Sequence, residues 1–240
     1  MGDDVRLVQE VRLSGERPCA KDASSDPTNA AGVPRACGRE PWLSADVLAG
    51  MLAGAPGLRI LLVGEREGIL AARLSAESGS DVTWLDPFAG HAQMVAASGP
   101  GIRPGVTRVD GGLLNTPFAD AEFDAVASQF AIEFAPDPSE AIGEWARVLR
   151  PGGILALVTM NALFKGSELR PRARPLHEFA PADLEALATG AGLGVRGIRT
   201  LIPNLRLPRF YRGDMSYSFR FEGLPYFGNR GMLLFLQAVK

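Results

Sequence analysis

The sequence predicts a doubly wound α/β fold, because short apolar runs alternate with single helical stretches along most of the chain after residue 57. Two further observations shape that prediction. The runs are continuous rather than alternating, as in parallel strands covered on both faces. The final run, GMLLFLQAVK, is reached without an intervening helix, which suits antiparallel insertion between its neighbours.

Residues 1–40 read as a flexible leader, rich in Gly, Pro, Ser, Asp and Arg, with no apolar period after Leu13. The opening piece VRLVQEVRL suits an edge strand or a helical turn. From Pro41 the pattern changes. SADVLAGMLAG offers Ser44 as an N-cap and spaces Val47, Leu48, Met51 and Leu52 at helical intervals. LRILLV (Leu58–Val63) is the first strand, followed by the turn GEREG and the helical ILAARLSAES. DVTWL (Asp81–Leu85) is the second strand and ends at Asp86-Pro87, before the helical FAGHAQMVAAS. Strands three to five are GVTRV (Gly105–Val109), FDAVAS (Phe123–Ser128) and GILALVT (Gly153–Thr159). Between the last two, Asp137-Pro138 caps the helix PSEAIGEWARVL, which stops at Arg150-Pro151-Gly152-Gly153. PADLEALATGAGL (Pro181–Leu193) is a further helix, GVRGIRTLI a strand, and GMLLFLQAVK the last strand.

Composition narrows the function classes. With 240 residues, 46% hydrophobic and 22% charged, the chain can bury one full core. No apolar run reaches the roughly 18 residues of a membrane span, and the first residues lack the apolar centre of a signal peptide. Cys19 and Cys37 are too few for a disulfide framework or a complete zinc site, so a reducing cytoplasmic setting and no metal are expected. The net charge of -2 hides an asymmetry. Residues 41–159 carry 14 acidic and 7 basic side chains, whereas residues 160–240 carry 12 basic and 6 acidic ones. An acidic body is not the footprint of a nucleic-acid binder, and a basic last third suits an anionic ligand.

In open α/β sheets ligands bind beyond the carboxyl ends of the strands, at the switch point beside the first. Position therefore nominates Gly64 to Gly68, including Glu65, after strand one, and Asp86 with Pro87 after strand two. It also nominates Asp110, Gly111 and Gly112 after strand three, and Ser128, Gln129 and Phe130 after strand four. A glycine after strand one permits a tight turn against a ligand, and an acid closing strand two can accept from both ribose hydroxyls. The alternative is structural, with Gly64 a turn glycine and Asp86 an N-cap.

The segment Thr116–Thr159 carries Pro117-Phe118, Phe123-Asp124 and Arg147-Val148-Leu149-Arg150-Pro151-Gly152-Gly153. In these motifs the chain resembles the class I S-adenosylmethionine-dependent methyltransferases of the small-molecule type, the group that includes quinone-biosynthesis enzymes. The likeness spans about Leu58 to Leu193. It implies a Rossmann-like seven-stranded sheet with the last strand antiparallel, and S-adenosyl-L-methionine as cofactor. Residues 41–240 then form the methyltransferase-like domain, with insertions near 160–180 and 203–230 over the pocket. The matching residues are mostly structural and speak for the fold more than for an activity.

The cofactor motifs depart from the family. Where it places an acid and three alternating glycines, this chain has Leu62, Gly64, Arg66 and Gly68. Arg66 either intrudes on the methionine part of the ligand or points to solvent beside Glu65 or Glu67. Gly112 stands where the family carries an aspartate for the adenine amino group, and Asp110, two residues earlier, can replace it only if the loop is longer. Asp86 is in its expected place, and Trp84 reads as core.

Methyl transfer demands no universal catalytic residue, since the sulfonium carries its own activation, so none is assigned. A hydroxyl or acidic carbon acceptor benefits from a base. His91 reads as a surface residue, whereas His177 can face the pocket. Over the pocket, Arg206, Arg209, Arg212, Arg220 and Arg230 are interleaved with Phe210, Tyr211, Tyr217, Phe219, Phe221, Tyr226 and Phe227. That mixture suits a planar or lipophilic, anionic small-molecule acceptor, and equally a homo-oligomer or partner surface. Stacking on single-stranded nucleic acid would draw on the same residues. The principal expectation is methyl transfer to a small organic acceptor. A methyltransferase fold that has lost cofactor affinity and serves as a binding or scaffold subunit is the alternative carried by Leu62, Arg66 and Gly112. A nicotinamide-dependent dehydrogenase is disfavoured, because Gly64-Arg66-Ile69 lacks two of three required glycines.

Overall fold

The structure, a computed structural model, describes residues 40–52, 57–65, 70–71, 74–75, 79–87, 105–164, 175–201 and 231–240. The leader, Arg66, Gly68, His91 and the aromatic and basic residues from 206 to 230 lie outside the described residues. Seven strands form one sheet: β1 (Arg59–Val63), β2 (Asp81–Asp86), β3 (Val106–Asp110), β4 (Phe123–Gln129), β5 (Leu149–Met160), β6 (Gly194–Leu201) and β7 (Leu233–Val239). Their order is β3-β2-β1-β4-β5-β7-β6. The first five pair in parallel, and β7 enters antiparallel between β5 and β6. The expected doubly wound sheet with an antiparallel last strand is the observed one.

Burial explains the continuous apolar runs. Leu61, Val63, Val126, Leu155 and Leu157 face a cluster closed by helices α2 (Pro138–Val148) and α3 (Pro181–Gly190), with Trp145 and Leu184 fully buried. Ile60, Leu62, Ala127 and Val158 face the opposite cluster, closed by α1 (Glu40–Leu52) and by the helical Leu70 and Leu74. Residues of one strand thus reach two cores, so neither face admits a polar period.

Three boundaries differ from the sequence reading. Helix α1 begins at Glu40, so Ser44 is no N-cap; it is buried inside the helix and its Oγ accepts from Gln129 Nε2 at 2.6 Å. The chain enters β5 at Leu149 rather than Gly153. Arg150-Pro151-Gly152-Gly153 is an irregularity within the β4–β5 pairing, with Gly152 at φ +78 and its amide donating to Lys240 O at 2.8 Å. The glycines bend a strand onto the chain terminus instead of ending a helix. Helix α3 stops at Gly190, three residues short of Leu193, because Gly192 at φ +79 reverses the chain. The Asp137 cap holds as expected, its carboxylate accepting from Ser139 N at 2.9 Å and Glu140 N at 3.1 Å.

Candidate functional site

The site is assembled at the carboxyl edge of β1, β2, β3 and β4. Gly64 leaves β1 at φ +87, and a Cβ there would collide with the Ala131 methyl and come within 2.9 Å of Gln129 O. The glycine is therefore demanded by the turn after β4 as well as by its own conformation. Next to it, Phe130 adopts φ 51, a left-handed backbone that non-glycine residues adopt at a cost. The ends of β1 and β4 are thus wedged together at the switch point.

Glu65 follows, and only 4% of it is exposed. Its carboxylate accepts from Leu70 N and, at 2.9 Å, from Ala71 N, while its carbonyl accepts from Trp84 Nε1 at 3.2 Å. These two helical amides are thus bound to a carboxylate of the chain itself. Trp84, 3% exposed, is the core residue its position in the strand implied.

Asp86 closes β2, buried to 4% exposure. The β2–β3 register places Trp84 opposite Arg108 and Asp86 opposite Asp110. Arg108 accordingly lies 5.6 Å over the Trp84 ring and donates through Nη2 to Asp86 Oδ2 at 2.7 Å and Asp110 Oδ1 at 3.1 Å. Its Nε is buried without a hydrogen-bond partner among the described residues. Asp86 and Asp110 are thus brought together by a cation that the sequence reading did not single out. Its signal, a basic residue two positions before an acid in a strand, becomes legible only once the register is known. Pro87 follows Asp86 at the edge, half-buried.

The loop after β3 holds Gly111 and Gly112, and the two glycines differ. A Cβ at Gly111 would meet Leu85 Cδ1 at 2.8 Å and Pro117 Cδ at 3.2 Å, so close packing excludes a side chain. At Gly112 nothing lies nearer than Asn115 O at 3.9 Å, which leaves room for one. The far end of this loop is strapped to α2. Glu144 Oε1 accepts from Thr116 N at 2.8 Å and Thr116 Oγ1 at 2.7 Å, and Arg147 donates to Glu144 and to Phe118 O, each at 2.8 Å. The bonds from Arg147 and Thr116 hold the Glu144 carboxyl down at about 2. Phe118 packs edge-on to Phe123, ring centroids 5.0 Å apart. The Pro-Phe and Arg-Val-Leu motifs are two ends of one brace.

At the end of β4, Ser128 is fully buried and its Oγ has no hydrogen-bond partner among the described residues, and the Gln129 side chain bonds Ser44. Beyond them a 3-10 turn, Ile132–Phe134, carries Glu133, a residue absent from the sequence-based candidates. It is 4% exposed, and Thr159 Oγ1 donates to its Oε2 at 2.9 Å. Burial pushes its carboxyl up to about 7, against the lowering effects of a hydrogen bond from its own amide and of the bond from Thr159. No periodicity marks Glu133, because its environment is made by β5. His177 sends its amide to Glu133 O, and its side chain lines a groove of about 480 Å³ with Asp137, Phe179 and Asp183. That groove lies between α2 and α3, and its lining does not include Gly64 or Glu65. Among the described residues no helix is long and apolar enough to cross a membrane.

Comparison with known proteins bears on this geometry. The family model described as a methyltransferase domain matches residues 61–157. An uncharacterized protein of Mycobacterium tuberculosis is 32% identical over 166 residues, covering 65% of this chain and 60% of that protein, so the chain spans about three fifths of that relative's length. The ubiquinone biosynthesis O-methyltransferase of Hahella chejuensis is 32% identical over 178 residues, covering 68% of this chain and 74% of that enzyme. Among solved structures, the S-adenosylmethionine-dependent methyltransferase of Mesorhizobium loti aligns with a TM-score of 0.59 at 20% identity, covering 81% of this chain and 96% of that one.

Proposed function

This chain belongs to the class I S-adenosylmethionine-dependent methyltransferases, and from that premise we propose that it moves a methyl group from S-adenosyl-L-methionine to a hydroxyl of a small organic acceptor. The observation that carries the reading is the buried Asp86 at the carboxyl end of β2, fixed by Arg108 beside the Gly64 turn. Its carboxylate suits a ribose, and Glu65 on the helical amides suits a ligand without phosphate there. We assign Gly64, Glu65, Gly68, Asp86, Pro87, Asp110, Gly111, Ser128 and Gln129 to the donor's surroundings. Asp86 would hold the ribose, and Gly64 and Gly111 would let backbone approach the ligand.

The bound donor supplies an activated methyl group, so the chain's task is alignment and exclusion of water. The wedge of Gly64 against Ala131 and the Glu144–Arg147 brace hold the two loops that would flank the donor. The hydroxyl acceptor follows from likeness to the Hahella O-methyltransferase. Its planar, anionic character follows from the arginines and aromatics of residues 203–230. Calorimetric titration with S-adenosylmethionine and S-adenosylhomocysteine tests the donor site. Binding is expected, with Asp86→Ala costing about 1 to 3 kcal/mol. Absence of heat at millimolar ligand would replace this reading with that of a scaffold.

A further inference from the structure

We propose that Glu133 is the general base of this methyl transfer, taking the proton of the acceptor hydroxyl as its oxygen is methylated. The proposal rests on the methyltransferase reading above. Glu133 stands just past β4, two residues after the Ala131 methyl that packs on the Gly64 turn. It therefore flanks the loop assigned to the donor and reaches across to the end of β5. There Thr159, itself fully buried, holds Oε2 from one side. The backbone amide of Glu133 itself also donates to the carboxylate. The amides of Leu176 and His177 clasp the Glu133 carbonyl at 2.9 and 3.0 Å, which fixes the turn.

A purely structural residue at this point need only accept from Thr159 and from its own amide, and a glutamine would do so without burying an ionisable group. A carboxyl held where burial raises it to about 7 is instead poised to take up and give back a proton near neutrality. In the transfer, the acceptor oxygen forms its bond to the methyl carbon and the carbon–sulfur bond breaks, its electron pair remaining on sulfur. The hydroxyl proton passes to Glu133, which returns it to solvent before the next turnover. Among the described residues, the charged or titratable groups on the elements packed against this turn are Glu65 after Gly64, Asp137 and Glu140 at the start of α2, and His177 and Glu178 in the segment above. At the end of β5 that meets the turn, Thr159 is the polar contact.

Proton linkage tests the assignment without knowing the acceptor. The full chain is titrated near pH 7 with S-adenosylmethionine and with S-adenosylhomocysteine, in two buffers of different ionisation enthalpy. A base beside the transferring methyl is pushed toward its ionised form by the sulfonium and not by the neutral thioether. Binding of S-adenosylmethionine should release up to roughly half a proton more than binding of S-adenosylhomocysteine. Glu133→Gln should abolish that difference, and His177→Gln should keep it. Thr159→Val, which removes a hydrogen bond favouring the carboxylate, should move its midpoint to higher pH. Equal proton counts for the two ligands in the wild type, or a difference that survives Glu133→Gln, overturn the base while leaving donor binding intact. If Glu133→Gln does not fold, a carboxyl carbon resonance of the wild type that titrates near neutrality and moves acidward with S-adenosylmethionine alone supports the assignment, and one that moves equally with both ligands refutes it. Failure of the wild type to bind either ligand refutes the methyltransferase reading and the base with it.

Discussion

Replacing Glu133 by glutamine should make the protein more stable at neutral and alkaline pH, by an amount that vanishes in mild acid. The carboxyl rises from 4.5 in the unfolded chain to about 7 in the folded one, chiefly through burial. At about 1.4 kcal/mol per pH unit this is a stability difference of about 3 kcal/mol. The sign follows from which state loses its proton first. Below pH 4.5 both states hold it; between 4.5 and about 7 the unfolded chain ionises while the folded one does not, so wild-type stability falls as pH rises through that window. Glutamine has no proton to lose and can still accept from Thr159. Urea unfolding followed by tryptophan fluorescence should therefore give a variant-minus-wild-type difference that grows by about 3 kcal/mol from mild acid to above neutrality. Every other titrating group is common to both proteins and cancels. A difference that stays flat across this window would show that Glu133 is not a buried acid, and would remove the physical ground for its role as a base.

Gly112→Asp should tighten S-adenosylhomocysteine binding about fivefold to tenfold, since the position has room and the new carboxylate supplies an adenine partner; unchanged or weaker titration heats would place adenine elsewhere. Glu144→Gln should lower neutral-pH stability by about 1 to 3 kcal/mol by weakening the brace to Thr116 and Arg147. Because the Glu144 carboxyl is held at about 2, its contribution is present above pH 4.5 and is lost as pH falls toward 2, so acid unfolding should converge for wild type and variant. Gly64→Ala should destabilise the fold by about 2 kcal/mol or more, through the Ala131 clash and the left-handed backbone. A thermal midpoint within a degree of wild type would contradict the wedge at the switch point.

Much of the architecture could be read from residues alone, because the signals are local. Continuous runs such as RILLV report burial on both faces, and Asp137-Pro138 announces a helix start that the structure places where it was expected. The two misread boundaries around Gly152 and Gly192 have one cause. A glycine with positive φ looks the same in sequence whether it ends a helix, bulges a strand or follows a cap, and the partner strand decides among them. Ser44 was misread for a similar reason, since a serine before an apolar period resembles a cap until Gln129 is seen to bond it.

In the candidate site, residue order was enough to mark the positions that matter. Strand ends are fixed by apolar runs, and the chemistry of an α/β sheet gathers at those ends, so Gly64, Asp86, Asp110 and Gly111 were nominated by counting. What surrounds them is set by contacts between distant parts of the chain. Arg108 meets Asp86 through strand register, Glu65 meets helical amides through the turn, and Glu133 meets Thr159 across two strands. The physical reason is that a carboxylate's behaviour depends on its desolvation and on the donors within about 3 Å, and both are supplied by residues remote in the chain.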